Sequence, residues 1–204
     1  MGKNITVICS AMRSYRTFRE RNPASGKKAG AIRRITVRPK PGSRTRGLLV
    51  VGSHTFECAL GRGGIVSVKR EGDGGTPMAA MRLLRGYFRN DRAGVSRQSG
   101  LVLTPIAERL GWCDATADRN YNRPVELPYP ASAERMKRDD SLYDTVIVLD
   151  WNIRPRMRRR GSAIFLHLAR PGFAPTEGCV AVSPALMRRL LPRLSPRTVL
   201  RVLR

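Results

Sequence analysis

The sequence predicts a mainly β protein, a sandwich or barrel-like fold with few short helices, and three observations predict it. Short apolar or β-branched runs recur along the chain, turn-forming residues stand between nearly all of them, and only one segment carries a full helix start signal. At 204 residues with 41% hydrophobic side chains, the chain is long enough for one good core.

The strand candidates follow in order. Ile32 to Arg38 stops at the turn residues Pro39, Pro41 and Gly42; Gly47 to Gly52 and Thr55 to Leu60 flank a tight turn at Gly52-Ser53. Ile65 to Lys69 runs into Gly72-Asp73-Gly74-Gly75. Met78 to Tyr87 reads as a further strand, although its alanines and leucines also allow a helix. Thr145 to Trp151, Ser162 to Leu168, Gly178 to Val182 and Thr198 to Leu203 complete the set. The helix is Pro184 to about Leu191: Ser183 is its N-cap, Pro184 its first residue, and Pro192 limits it. No internal repeat is visible.

Lysine and arginine total 39 against 15 acids, a net charge of +24. Residues 1–46 hold much of the excess, with Glu20 their one acid, and Asn22-Pro23-Ala24-Ser25-Gly26-Lys27-Lys28 reads as a linker; residues 1–30 are therefore expected to form a basic, flexible arm and residues 31–204 the folded domain. A second basic cluster runs from Arg154 to Arg160. Such charge suits an anionic polymer, nucleic acid among them, and arginine-rich codon usage would produce it too. The basic segments lack interleaved aromatics, a recognition-helix pattern or zinc ligands, so nothing beyond charge points to nucleic acid.

Chemistry concentrates at one pair. His167, one of two histidines, stands near the end of a strand candidate, and Cys179 follows twelve positions later, after a loop forced by Pro171, Gly172 and Pro175. A thiol is only a few per cent thiolate at neutral pH, so a cysteine nucleophile needs a base, and an imidazole within hydrogen-bonding reach supplies one. Gly178 lets the backbone approach a substrate and aim amides at a developing oxyanion. Against this, free cysteines are more often buried small hydrophobes, the reading given to Cys9, Cys58 and Cys113. The four cysteines and His54 form no close ligand pairs, so no metal, no cofactor and no disulfide scaffold is expected.

His167, a loop, then Thr176-Glu177-Gly178-Cys179 resembles the signature of L,D-transpeptidases, the YkuD-type domains that remodel bacterial peptidoglycan. Gly72-Asp73-Gly74-Gly75-Thr76-Pro77 is similar to the family's Gly-Asp-x-x-Thr-Pro turn. Gly111-Trp112-Cys113-Asp114, Tyr121-Asn122-Arg123, Leu142-Tyr143-Asp144 and Trp151-Asn152 are similar to a shorter branch of the family, and the resemblance spans roughly Ile32 to Leu203. It implies a YkuD-like β fold, Cys179 as nucleophile, His167 as general base and Gly178 at the oxyanion site, with Thr176, Arg170, Asp73, Thr76, Trp112 and Asn122 as candidate substrate contacts. A backbone carbonyl, in preference to Asp150, orients the imidazole. The implied partners are peptidoglycan stem peptides.

The chain also departs from the pattern. Glu177 and Ala181 stand where many members carry His or Arg, and Arg or Asn, and Ala79 replaces a usual glycine. Arg170 is the candidate to replace the missing cation. The resemblance implies an envelope or periplasmic address, yet the apolar run Ile5 to Cys9 is too short for a signal h-region and no transmembrane span follows. Two other readings stay open: a sortase-like transpeptidase using Arg188 or Arg189, and a catalytically silent basic module that binds wall or nucleic acid.

Overall fold

In the computed structural model, which describes residues 30–204, strand β1 (Arg34–Pro39) turns Ile35 and Val37 inward and leaves Arg34 and Arg38 in water. That period of two repeats in β2 (Arg46–Val51), whose Leu49 is buried, and the two strands join β3 (His54–Ala59) as an antiparallel meander. The basic arm expected before Gly30, with Cys9, lies outside the described residues.

The Ile65 to Lys69 run forms only the two-residue β4 (Ile65–Val66), paired parallel with β5 (Thr76–Pro77). Lys69 leaves the strand because its ammonium is taken by Arg70 O and Asp73 Oδ1, which buries the side chain in the turn. The ambiguous Met78 to Tyr87 segment is a strand, β6 (Ala80–Phe88), with Met81 and Leu83 inward and Ala80 and Arg82 outward.

Four short strands had no signal in the sequence: β7 (Leu103–Pro105), β8 (Leu110–Cys113), β9 (Pro124–Glu126) and β10 (Ala133–Arg135). The last three make a separate small sheet in the order β10-β8-β9. The chain then returns through β11 (Thr145–Leu149), β12 (Phe165–Leu168), β13 (Val180–Val182), helix α1 (Pro184–Leu190) and β14 (Val199–Val202). Ser183 Oγ accepts the Leu186 amide at 3.2 Å and caps α1.

The main sheet runs β11-β12-β13-β3-β2-β1-β14-β6-β7, and a further β11–β6 pairing closes it into a barrel, with β7 left on the outer flank of β6. Closure removes most of the unpaired strand edge. Every residue of β11 is buried because it separates two cores. Ile147 and Leu149 face the barrel interior, where α1 adds Leu186, Met187 and Leu190; Val146 and Val148 face a second cluster with Trp112, Met136, Tyr143 and Phe165. That second cluster lies between the barrel wall and the small sheet, and Cys179 belongs to it.

Candidate active site

Parallel pairing of β12 with β13 sets Leu166 beside Val180 and His167 beside Ala181. Leu166, Leu168, Val180 and Val182 enter the barrel core, so the alternation sends Phe165, His167 and Ala181 to the opposite face, where Cys179 precedes β13. His167 and Cys179 thereby line one cleft of about 570 Å³. The small side chain of Ala181, fully buried next to the imidazole, leaves that wall free of bulk.

Burial favours the uncharged form of both groups. Burial pushes the Cys179 thiol up to about 12, assisted by the charge of Glu134 and opposed by the Phe165 amide, which donates to Sγ at 3.3 Å. The Sγ–H donates to Ala163 O at 3.1 Å. Burial holds the His167 imidazole down at about 4, well below its ordinary value. Its Nδ1 lies 2.8 Å from Leu168 O, so with Nδ1 protonated the imidazole donates there and keeps Nε2 as the basic nitrogen. Asp150 does not orient the ring; its carboxylate accepts the Arg82 amide at 2.8 Å.

The loop that carries Cys179 rests on the Gly72–Pro77 turn. Asp73 accepts the Arg70 and Gly75 amides at 2.7 and 2.8 Å and pairs with Lys69, which holds its carboxyl below the usual range. Thr76 is buried, and its Oγ1 accepts the Gly61 amide at 2.8 Å. Gly61 in turn bridges to Thr176, whose amide donates to Leu60 O and whose carbonyl accepts the Arg62 amide. Backbones meet so closely here that a Cβ on Gly61 would lie 2.1 Å from Gly74 O. Gly178 has φ +132°, and a Cβ there would lie 2.8 Å from Gly75 O, so this position demands glycine on both conformational and steric grounds. Thr176 Oγ1 donates to Cys179 O at 2.7 Å and accepts the Gly178 amide at 3.2 Å, tying the loop across the thiol.

The remaining candidates divide. Arg170 lines the cleft, half exposed, with Asp140 at 3.9 Å. Glu177 also reaches the cleft but pairs with Arg62 in solvent. Asp73, Thr76, Trp112 and Asn122 are not in the cleft wall. Trp112 is buried edge-on against Phe165 and donates its indole N–H to Asn122 at 3.0 Å. Asn122 is a structural hub: its Oδ1 also accepts the Ala163 amide at 3.0 Å, and its Nδ2 donates to Trp151 O and Asn152 O. Cys58 and Cys113 are buried apart from the cleft. Arg188 and Arg189 sit on α1, away from the cleft, with the Arg189 guanidinium over Phe56.

Sequence reasoning passed over Glu71, Glu134, Arg138 and Tyr143, all in the cleft wall. Glu71 accepts from the Tyr121 hydroxyl and from Ser162 Oγ. Of these only Tyr143 fell inside the motif blocks quoted above, and Glu71 directly precedes the Gly72–Pro77 block; Glu134 and Arg138 arrive from the small sheet and its following loop with no local signal. Among the described residues no group of three or more His, Cys, Asp or Glu could hold a metal ion.

A family model for the YkuD L,D-transpeptidase catalytic domain matches residues 40–202. The chain belongs to this family. No curated protein and no solved structure gave a match. The matched span of the YkuD domain covers all of the barrel except strand β1, together with the small sheet and the whole cleft, so the Cys179 loop, its supporting turn and the histidine strand all lie within it. Its mainly β architecture agrees with the membership.

Proposed function

We propose that this YkuD domain is a cysteine-dependent L,D-transpeptidase that acts on peptidoglycan stem peptides through a thioester acyl-enzyme. The observation that carries the reading is the β12–β13 register, which brings a thiol and a neutral imidazole to one cleft with Nε2 available as base.

Burial disfavours both the thiolate and the imidazolium, so in this reading the thiol proton passes to the imidazole as sulfur attacks, with no resting ion pair. The Cys179 Sγ–H turns from Ala163 O and gives its proton to His167 Nε2 while sulfur bonds to the carbonyl carbon of the stem's diaminopimelate. The carbonyl electrons move to oxygen, and backbone amides at Gly178 and Cys179 receive the oxyanion; one such donor is worth about 3–4 kcal/mol. Thr176 Oγ1 must release the Gly178 amide for this role. Collapse of the intermediate breaks the bond to terminal D-alanine, whose amine takes the proton from the imidazolium. An acceptor amine or water then attacks the thioester carbonyl, losing a proton to His167, and the C–S bond breaks as the Cys179 sulfur takes that proton back, giving a cross-link, an attached protein or a trimmed stem. The base contributes about 10²–10⁴-fold in rate.

Arg170, half exposed on the cleft wall, supplies the positive charge that suits a stem carboxylate in place of a cation at Ala181, whereas Arg138 is committed to Asp140. The net charge of +24 favours retention on anionic wall at low salt, in keeping with an address at the cell envelope. No helix among the described residues is long and apolar enough to cross a membrane. The test is turnover of a diaminopimelate tetrapeptide by wild type and Cys179→Ala, with and without an acceptor amine. Release of D-alanine by wild type alone is the expected result; equal turnover by both proteins excludes the mechanism, and none from folded wild type favours a silent binding module.

A further inference from the structure

The imidazole of His167 has one hydrogen bond, at Nδ1, and a single bond leaves a ring free to tilt about it. The second restraint is aromatic. The ring of Tyr143 meets the imidazole edge to face, centroids 5.3 Å apart and planes at 77°, and meets Phe165 the same way at 6.0 Å and 83°. The Leu168 amide donates to Leu142 O at 3.1 Å, so the chain bearing the phenol is stitched to the chain bearing the base. The backbone amide of Phe165 in turn donates to Cys179 Sγ, so the residue packed on the Tyr143 ring also holds the thiol through its main chain.

A phenylalanine would supply the same ring contacts, whereas a tyrosine in this buried place requires a partner for its hydroxyl. The partner is Glu134 on β10, which accepts the Tyr143 hydroxyl at 2.7 Å. Placing a carboxylate here costs desolvation, which raises its pKa and is an unfavourable choice for packing alone. Arg138 completes the clamp: its guanidinium covers the Tyr143 ring at 5.3 Å, lies 3.6 Å from Glu134, and is itself held by Asp140 at 2.9 and 2.8 Å.

We propose that Glu134, acting through the hydroxyl of Tyr143, is a positioning residue that fixes the plane of the His167 imidazole and so couples the small β8–β10 sheet to the catalytic pair. The inference rests on the reading of His167 as base. Glu71, Asp114, Arg138, Asp140, Arg170 and Glu177 are the other charged groups about this cleft, and none of them bonds to the tyrosine hydroxyl.

The experiment compares Glu134→Ala, Glu134→Gln, Tyr143→Phe and the Glu134→Ala/Tyr143→Phe double variant in the full chain. The first readout is the ring resonances and tautomer of His167 by nuclear magnetic resonance, assigned against His54→Gln, since the chain has only these two histidines. The second is stem acylation, with kcat and KM separated. Glu134→Ala and Tyr143→Phe should each shift the His167 resonances and lower kcat about 10-fold with little change in KM, the double variant should be no worse than either single one, and Gln, which keeps an acceptor, should stay within about 3-fold of wild type. Unmoved His167 resonances in the folded Tyr143→Phe protein would overturn the proposal. So would a Gln variant as impaired as Ala, which would assign the effect to charge. If wild type forms no thioester but Tyr143→Phe still moves His167, the transpeptidase reading fails while the positioning holds.

Discussion

Replacing Asn122 with alanine removes a buried side chain that satisfies four groups at once. The Trp112 indole and the Ala163 amide lose their acceptor, both at 3.0 Å, and the carbonyls of Trp151 and Asn152 lose donors at 3.1 and 3.0 Å. At about 1 kcal/mol or more for each buried group left without a partner, the loss is about 4 kcal/mol. Asn122 also sits at φ +57°, a region asparagine tolerates better than alanine, which adds about 1 kcal/mol. A total near 5 kcal/mol is a large fraction of the stability of a domain this size. Urea unfolding followed by tryptophan fluorescence measures it. Because Ala163 O holds the Sγ–H of Cys179, acylation should fall in whatever fraction remains folded. A loss below about 1 kcal/mol, with acylation unchanged, would refute the hub role.

Other consequences can be checked on the same protein. Gly178→Ala should destabilise by about 2–4 kcal/mol or displace the Gly75 turn, since it combines a positive φ with a 2.8 Å backbone contact, and the same unfolding measurement detects it. His167 is buried with its pKa depressed to about 4, so the unfolded chain binds the extra proton first: its contribution is complete above pH 6.5 and is lost as pH falls toward 4, by about 3 kcal/mol. Cys179 has the opposite sign, its pKa being raised to about 12, so its contribution is complete below pH 9 and declines above it. Denaturation midpoints at pH 4.5, 7 and 10 should therefore pass through a maximum, and His167→Gln should flatten the acid limb. Arg170→Gln should raise KM for the stem with a smaller effect on kcat; an unchanged KM would remove Arg170 from the donor site.

Barrel strands were legible where alternation persisted through several residues, as with Ile35 and Val37 in β1 or Met81 and Leu83 in β6. The small sheet was not, because strands of three or four residues such as Pro124–Glu126 give no measurable period, and in Leu110–Cys113 three successive residues are buried between neighbours on both sides. His167 and Cys179 could be picked out from a local motif. Their environment could not: the Asp73 and Thr76 block supports the loop from below, the tautomer is set by a neighbouring carbonyl, and Tyr143, Glu134 and Arg138 converge only after the small sheet docks on the barrel. Long-range convergence of this kind leaves no spacing for a sequence pattern to carry.

The central claim is that Cys179 carries the acyl group. Intact-protein mass spectrometry after mixing the reduced protein with a diaminopimelate tetrapeptide should show one adduct equal to the stem minus D-alanine, localised to Cys179 by peptide mapping and absent from Cys179→Ala. An adduct on Cys58 or Cys113, or stem turnover that survives Cys179→Ala, would contradict the account.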